Sequence, residues 1–223
     1  MPFVLSVGVT GHRADVLGST VAGLEPMLRG LLALIEETGA ALLEREQACF
    51  AEAPLRRRFV SPIADGADQL AAEIALDLGW ELQVVLPFER SRYRASLANA
   101  GARNQFDALI ERATCVLELP GTEGRELDAY VMTGRATVAH CDILIAVWDG
   151  LPPRGRGGTG EVVHLALTRG TAIAHVPLEP SAPPRLLWAA FDPTVLTLAD
   201  DPGVERPADR ANLDIMVRGL LMP

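Results

Sequence analysis

The stretch Asp142-Ile143-Leu144-Ile145-Ala146-Val147-Trp148-Asp149-Gly150 decides the fold. An unbroken apolar run closed by Asp-Gly reads as a strand buried on both faces, because a half-exposed strand would alternate with polar residues. The chain then passes through a loop rich in Pro, Gly and Arg at residues 151–157. Helical spacing over residues 158–169 and another apolar run at 171–176 follow. Strand, helix and strand in this order form a parallel crossover unit.

The same alternation extends toward the N-terminus. Phe3-Val4-Leu5-Ser6-Val7-Gly8-Val9 predicts a first strand running into Thr10-Gly11-His12-Arg13. Leu24, Leu28, Leu31, Leu32 and Ile35 mark a long amphipathic helix over residues 18–47, with a break near Gly39. Strands are expected at 58–63, 81–86 and 114–119, and helices at 64–79, 91–113 and 124–140. After Pro177 the pattern weakens. Residues 178–210 carry many Pro and Asp, with one short strand at 194–198 and a closing helix at 210–221. The expected architecture is α/β: a three-layer Rossmann-like domain over residues 1–178, with a mostly parallel twisted sheet and helices on both faces. Residues 179–223 are expected to be a C-terminal extension packed on the same domain.

Composition agrees. The chain is 49% hydrophobic but only 5% aromatic, so Ala, Val, Leu and Ile must build the core. Its net charge of −9 argues against nucleic acid as the main partner, since phosphate backbones are bound through clustered cations. Arg56-Arg57-Arg58 reads as a solvated lead-in to a strand. Cys49, Cys115 and Cys141 match no metal spacing. Cys115 and Cys141 lie among apolar neighbours and are expected to behave as small hydrophobes, which suits a reducing cytoplasm. No apolar run is long enough to span a bilayer, and no charged leader precedes the first strand, so neither a membrane span nor a signal peptide is expected. No metal and no cofactor are expected. His140, His164 and His175 read as surface or structural histidines, and neither a Walker A loop, a G-x-G-x-x-G turn nor a G-x-S-x-G elbow is present.

In open parallel sheets, ligands bind outside the carboxyl ends of the strands, where the topology switches. Three strand ends carry unusual residues: Thr10, Gly11, His12 and Arg13; Asp65, Gly66, Ala67 and Asp68; and Asp149 and Gly150 with Arg154, Arg156, Gly157, Gly158, Thr159 and Glu161. In the third, glycines at a helix start let an anion approach free backbone N–H groups and the positive end of the helix dipole. Thr159 adds a hydroxyl, and Arg154 or Arg156 adds charge. Asp65 and Asp68 serve either as caps of their helix or as acceptors for ribose hydroxyls.

V-G-V-T-G-H-R, S-P-I-A-D-G-A-D and C-D-I-L-I-A-V-W-D-G…R-G-G-T-G-E, in this order, resemble the SLOG/DprA-like/LOG superfamily of Rossmannoid proteins over roughly residues 3–177. The resemblance implies a nucleotide-derived small-molecule ligand whose phosphate is held at Gly158 and Thr159. Two departures bear on catalysis. The phosphoribohydrolase branch carries a glutamate three residues after its threonine, where this chain has Val162; Glu161 is one residue early, a rotation of about 100° on a helix. That branch also carries an arginine where this chain has Thr133, with Arg135 the nearest substitute. The chain is also similar, more faintly, to nucleoside deoxyribosyltransferases, where the Val162 departure applies equally.

Three readings stay open. In the first, the domain binds or senses a nucleotide or nucleotide-derived ligand. Thr10, Gly11, Arg13, Gly158 and Thr159 contact phosphate or sugar, Asp149 and Glu161 face ribose or base, and Tyr130 and Arg135 close the pocket. In the second, it is an N-glycosidic hydrolase or transferase acting on a nucleoside monophosphate, with Glu161 at the anomeric carbon and Arg135 on the phosphate. In the third, it is a protein-interaction domain that has lost its site. A homodimer fits any of these.

Overall fold

The computed structural model describes residues 2–179, 181–192 and 204–222. The short strand expected at 194–198 lies outside the described residues. Six strands run parallel: β1 (Val4–Gly11), β2 (Arg56–Ser61), β3 (Glu81–Leu86), β4 (Cys115–Glu118), β5 (Ile143–Trp148) and β6 (Ala172–Pro177). Two short antiparallel strands, β7 (Arg185–Leu187) and β8 (Glu205–Pro207), continue the sheet beyond β6. The order is β4-β3-β2-β1-β5-β6-β7-β8. The chain therefore builds outward from β1 to β4, then returns to the other side of β1 to lay down β5. The switch point lies between β1 and β5.

The apolar run that opened the argument is buried on both faces. Ile143, Ile145 and Val147 join one core cluster; Leu144 and Ala146 join a second on the opposite face. A strand's period of two makes this division unavoidable once both faces are covered. On one side lie α2 (Val21–Arg45), α3 (Ala67–Asp77), α5 (Ala100–Arg112) and α8 (Arg210–Leu221), which bring Leu28, Ile35, Ala71, Phe106 and Met216 to the larger core. On the other lie α6 (Glu126–Ala139) and α7 (Thr159–Thr168), with Val138, Val162 and Val163. The short helices α1 (Ala14–Leu17) and α4 (Arg90–Ser96) complete the set.

Several expectations are corrected. α2 runs unbroken through Gly39, whose missing side chain lets the helix lie close on β1; a Cβ there would stand 3.1 Å from the Leu5 side chain. The helix expected at 91–113 is two helices, because Leu97 is extended and the Asn99 side chain accepts from the Ala102 N–H at 2.9 Å, restarting the turn. Cys115 is exposed, since β4 is the sheet's edge strand. Arg56 and Arg57 lie within β2 and pair with Glu81 and Glu36. β7 and β8 had no sequence signal: three-residue strands are too short to show alternation.

The β2–α3 turn is clamped to the β1–α1 loop. Ala67 N–H donates to His12 O, and His12 N–H donates to Val147 O across the switch point, both at 3.1 Å. Gly66 has φ 103, and a Cβ on it would sit 2.6–2.7 Å from backbone atoms of residues 12–14. Gly66→Ala is therefore expected to cost about 2 kcal/mol or more, from strained backbone plus the clash, and to lower Tm by roughly 4–8 °C. Thermal denaturation checks this; an unchanged Tm would show that the two loops separate freely.

Candidate functional site

A cleft of about 370 Å³ opens at the switch point, within the range of small-molecule sites. The ends of β1 and β5 form its floor, α6 and the β5–α7 loop its walls, and the start of α3 one corner.

The structure brings together most residues singled out from sequence. Thr10, Gly11, His12 and Arg13 line the floor, Asp68 the corner, and Tyr130 a wall. Asp149, Arg154, Arg156, Gly157, Gly158 and Thr159 line the opposite side. Gly66 and Gly150 do not line the cleft. Gly66 supports the floor loop from behind, and Gly150 sits exposed in the turn after β5.

The proposed catalytic pair lies outside this cleft. Arg135 is exposed, and with Glu161 it lines a separate groove of about 220 Å³ on the outer side of α6 and α7. Glu161 is also committed locally, its carboxylate accepting the N–H of Gly157. The cleft-facing neighbours are instead Thr133 and Val162. Helical geometry explains this: Tyr130, Thr133, Gly134 and Thr137 share one face of α6, which Arg135 does not. That face is legible in the i, i+3, i+4, i+7 spacing. Sequence reasoning also missed Tyr93 of α4, fully buried against Phe88 and Phe106 yet reaching the cleft, because nothing local links residue 93 to the switch point.

The β5–α7 loop is organised by Asp149. Its carboxylate accepts from Leu151 N–H at 3.1 Å and Arg154 at 2.7 Å and lies 3.3 Å from His12 Nε2. Burial works against this charge, but the Leu151 hydrogen bond, His12 and Arg154 outweigh it and hold the carboxyl below its ordinary range. Arg156 pairs with Asp128 at 2.9 Å. Both arginines are mostly exposed, so their pairs contribute about 0–1 kcal/mol and exchange readily for another anion. No side chain caps α7, and the Glu161 and Val162 N–H groups both donate to Gly158 O, leaving the Thr159 and Gly160 N–H groups without an intrahelical acceptor.

The other corner is acidic. Arg13 donates to Asp65 and lies 5.9 Å from the centre of the Tyr130 ring. Asp68 is only 5% exposed, and its Oδ1 has no hydrogen-bond partner. Burial pushes its carboxyl up to about 7, against the pull of Arg13 and the Ala64 and Gly11 N–H groups, with Asp65 adding to the rise. Among the described residues, no cluster of three or more His, Cys, Asp or Glu could hold a metal ion, and no helix is long and apolar enough to cross a membrane.

No protein-family model matches the chain, and no curated protein matches it in sequence. Among solved structures it is similar to DNA processing protein A from Streptococcus pneumoniae, with a TM-score of 0.47 and 16% identity over 78% of this chain and 50% of that one. It is also similar to TM1055, a structural-genomics target, with a TM-score of 0.40 and 14% identity over 75% of this chain and 71% of that one. The chain thus spans half the length of the DNA processing protein. Both likenesses are of fold.

Asp68 links the cleft to stability. A carboxyl near 4 in the unfolded chain but at about 7 in the fold holds its proton more tightly when folded. Its favourable contribution is full below about pH 4 and is lost as pH rises through 7. Asp68→Asn is therefore expected to raise the Tm of the ligand-free protein at pH 8 by about 5 °C or more, with little change at pH 4. A Tm at pH 8 equal to or below the parent's would show that the Asp68 carboxylate is already compensated.

Proposed function

We propose that the chain binds a nucleotide or nucleotide-derived phosphorylated small molecule in the switch-point cleft. The observation that carries this reading is the uncapped start of α7. Its N–H groups without an intrahelical acceptor, the Thr159 hydroxyl and the two weakly paired arginines lie along one wall of the cleft. Backbone donors and the helix dipole together suit a phosphate. Arg13 adds a cation at the floor, and Tyr130 offers an aromatic face for a base or sugar.

The N-glycosidic reading through Glu161 and Arg135 is weakened by their placement outside this cleft. Glu161 acts on the loop: by accepting from Gly157 it holds the turn that presents Gly158 and Thr159.

A panel of nucleoside mono-, di- and triphosphates and dinucleotides tests the proposal, with melting temperature and released free base read from the same samples. At a hundredfold excess over Kd, a binder stabilises the fold by about 2.7 kcal/mol, roughly 5–10 °C for a chain of this size. Arg13→Gln is expected to weaken the best binder by about tenfold or more. A panel with no shift would sink the proposal. Base release abolished by Glu161→Gln would replace it with the hydrolase reading.

A further inference from the structure

The α3 corner carries two carboxylates and one facing cation. Arg13 is committed to Asp65, which leaves Asp68 without a counter-ion of its own. Asp68 is buried and lines the cleft, the Ala64 and Gly11 N–H groups act on its carboxyl, and its Oδ1, shielded from solvent, has no hydrogen-bond partner. A buried acceptor without a partner is costly, and native proteins rarely keep one without a role. The turn carrying it is strained as well. Ile63 has φ 48, in the left-handed region that a β-branched residue avoids. It is held there by Ser61 Oγ, which accepts the Ile63 N–H at 3.0 Å, and by Gln69, whose side-chain amide donates to Ile63 O at 3.3 Å. An unmet acceptor and a strained turn therefore sit together, held by the surrounding packing.

The surroundings decide which donor fits. Two carboxylates repel a phosphate, which is drawn instead to the α7 start on the far wall. Arg13 beside Asp65 opposes a second cation. Neutral donors remain, and a carboxylate oxygen accepts readily from hydroxyls. The cleft is thus polarised, with anion donors at one end and a hydroxyl acceptor at the other. Resting on the nucleotide-binding reading, we infer that Asp68 accepts hydrogen bonds from the ligand's sugar hydroxyls and makes the cleft selective for ribose phosphates over deoxyribose phosphates.

The selectivity is tied to pH, because only the ionised Asp68 offers both oxygens as acceptors. The charged and titratable groups facing it are Arg13 from the β1–α1 loop, Asp65 from the β2–α3 turn, Tyr93 from α4 and, beyond them, Tyr130 from α6.

The test is calorimetric titration of the parent protein with AMP, GMP, CMP and UMP and with their 2′-deoxy counterparts. A hydrogen bond to a charged acceptor predicts about 10–100-fold tighter binding of the best ribonucleotide than of its deoxy form. This ratio is expected to widen from pH 6 to pH 8; both ligands carry the same phosphate, so its titration cancels. Titration in two buffers of different ionisation enthalpy at pH 6.5 is expected to show more proton release on ribonucleotide than on deoxyribonucleotide binding. In Asp68→Asn the ratio is expected to fall below about threefold. A ratio near one in the parent, or one that survives Asp68→Asn, overturns this inference alone. No binding of any of these monophosphates overturns it, and the wider panel of di- and triphosphates and dinucleotides decides the nucleotide reading separately. The parent protein's ratio and proton release decide the matter even where the variant does not fold.

Discussion

The cleft depends on β1 serving two halves of the sheet at once. Its residues pair with β2 on one side and β5 on the other, and the two pairings overlap at Val7 and Gly8. Past that overlap, Gly11 is squeezed between α3 and β5: a Cβ there would lie 2.3 Å from the Ala67 side chain and 3.0 Å from Val147. Only a glycine lets helix, loop and strand meet this closely. Because they meet, the loop after β1, the turn after β2 and the loop after β5 open onto a single space.

That space is asymmetric, and the asymmetry follows from how each wall meets its electrostatic demands. At the α7 start, no side chain caps the helix and the nearby arginines are held only by exposed pairs. At the α3 start, both acids are buried and the one nearby cation, Arg13, is bonded to Asp65. Weak exposed pairs hold their arginines loosely, whereas the buried Asp68 has no ion-pair partner of its own. The net charge of −9 says nothing of this arrangement, because it averages over the whole surface.

The outer groove between α6 and α7 shows how sharply a helix sorts its residues. Thr133 and Arg135 are two positions apart, and so fall on different faces. Glu161 and Val162 are adjacent, yet one caps the Gly157 N–H outside the cleft and the other lines it. The two helices pack closely at this point: a Cβ on Gly134 would stand 2.7 Å from the Val162 side chain.

By itself, the sequence determined the order of the six parallel strands, the two-sided burial of β5 and the three strand ends that line the cleft. Those properties are local: apolar period, glycine and proline placement, and helix-start composition act within a few residues of chain. It also carried the inward face of α6, in the spacing of Tyr130, Thr133, Gly134 and Thr137. Tertiary structure alone decided that Asp68 is stranded while Asp65 is paired, that Tyr93 reaches the cleft, and that Glu161 and Arg135 do not. Both aspartates stand at one helix start, and only the arrival of Arg13 from a distant loop separates their fates. Burial and counter-ions are set by what packs across the sheet, and no spacing along the chain encodes them.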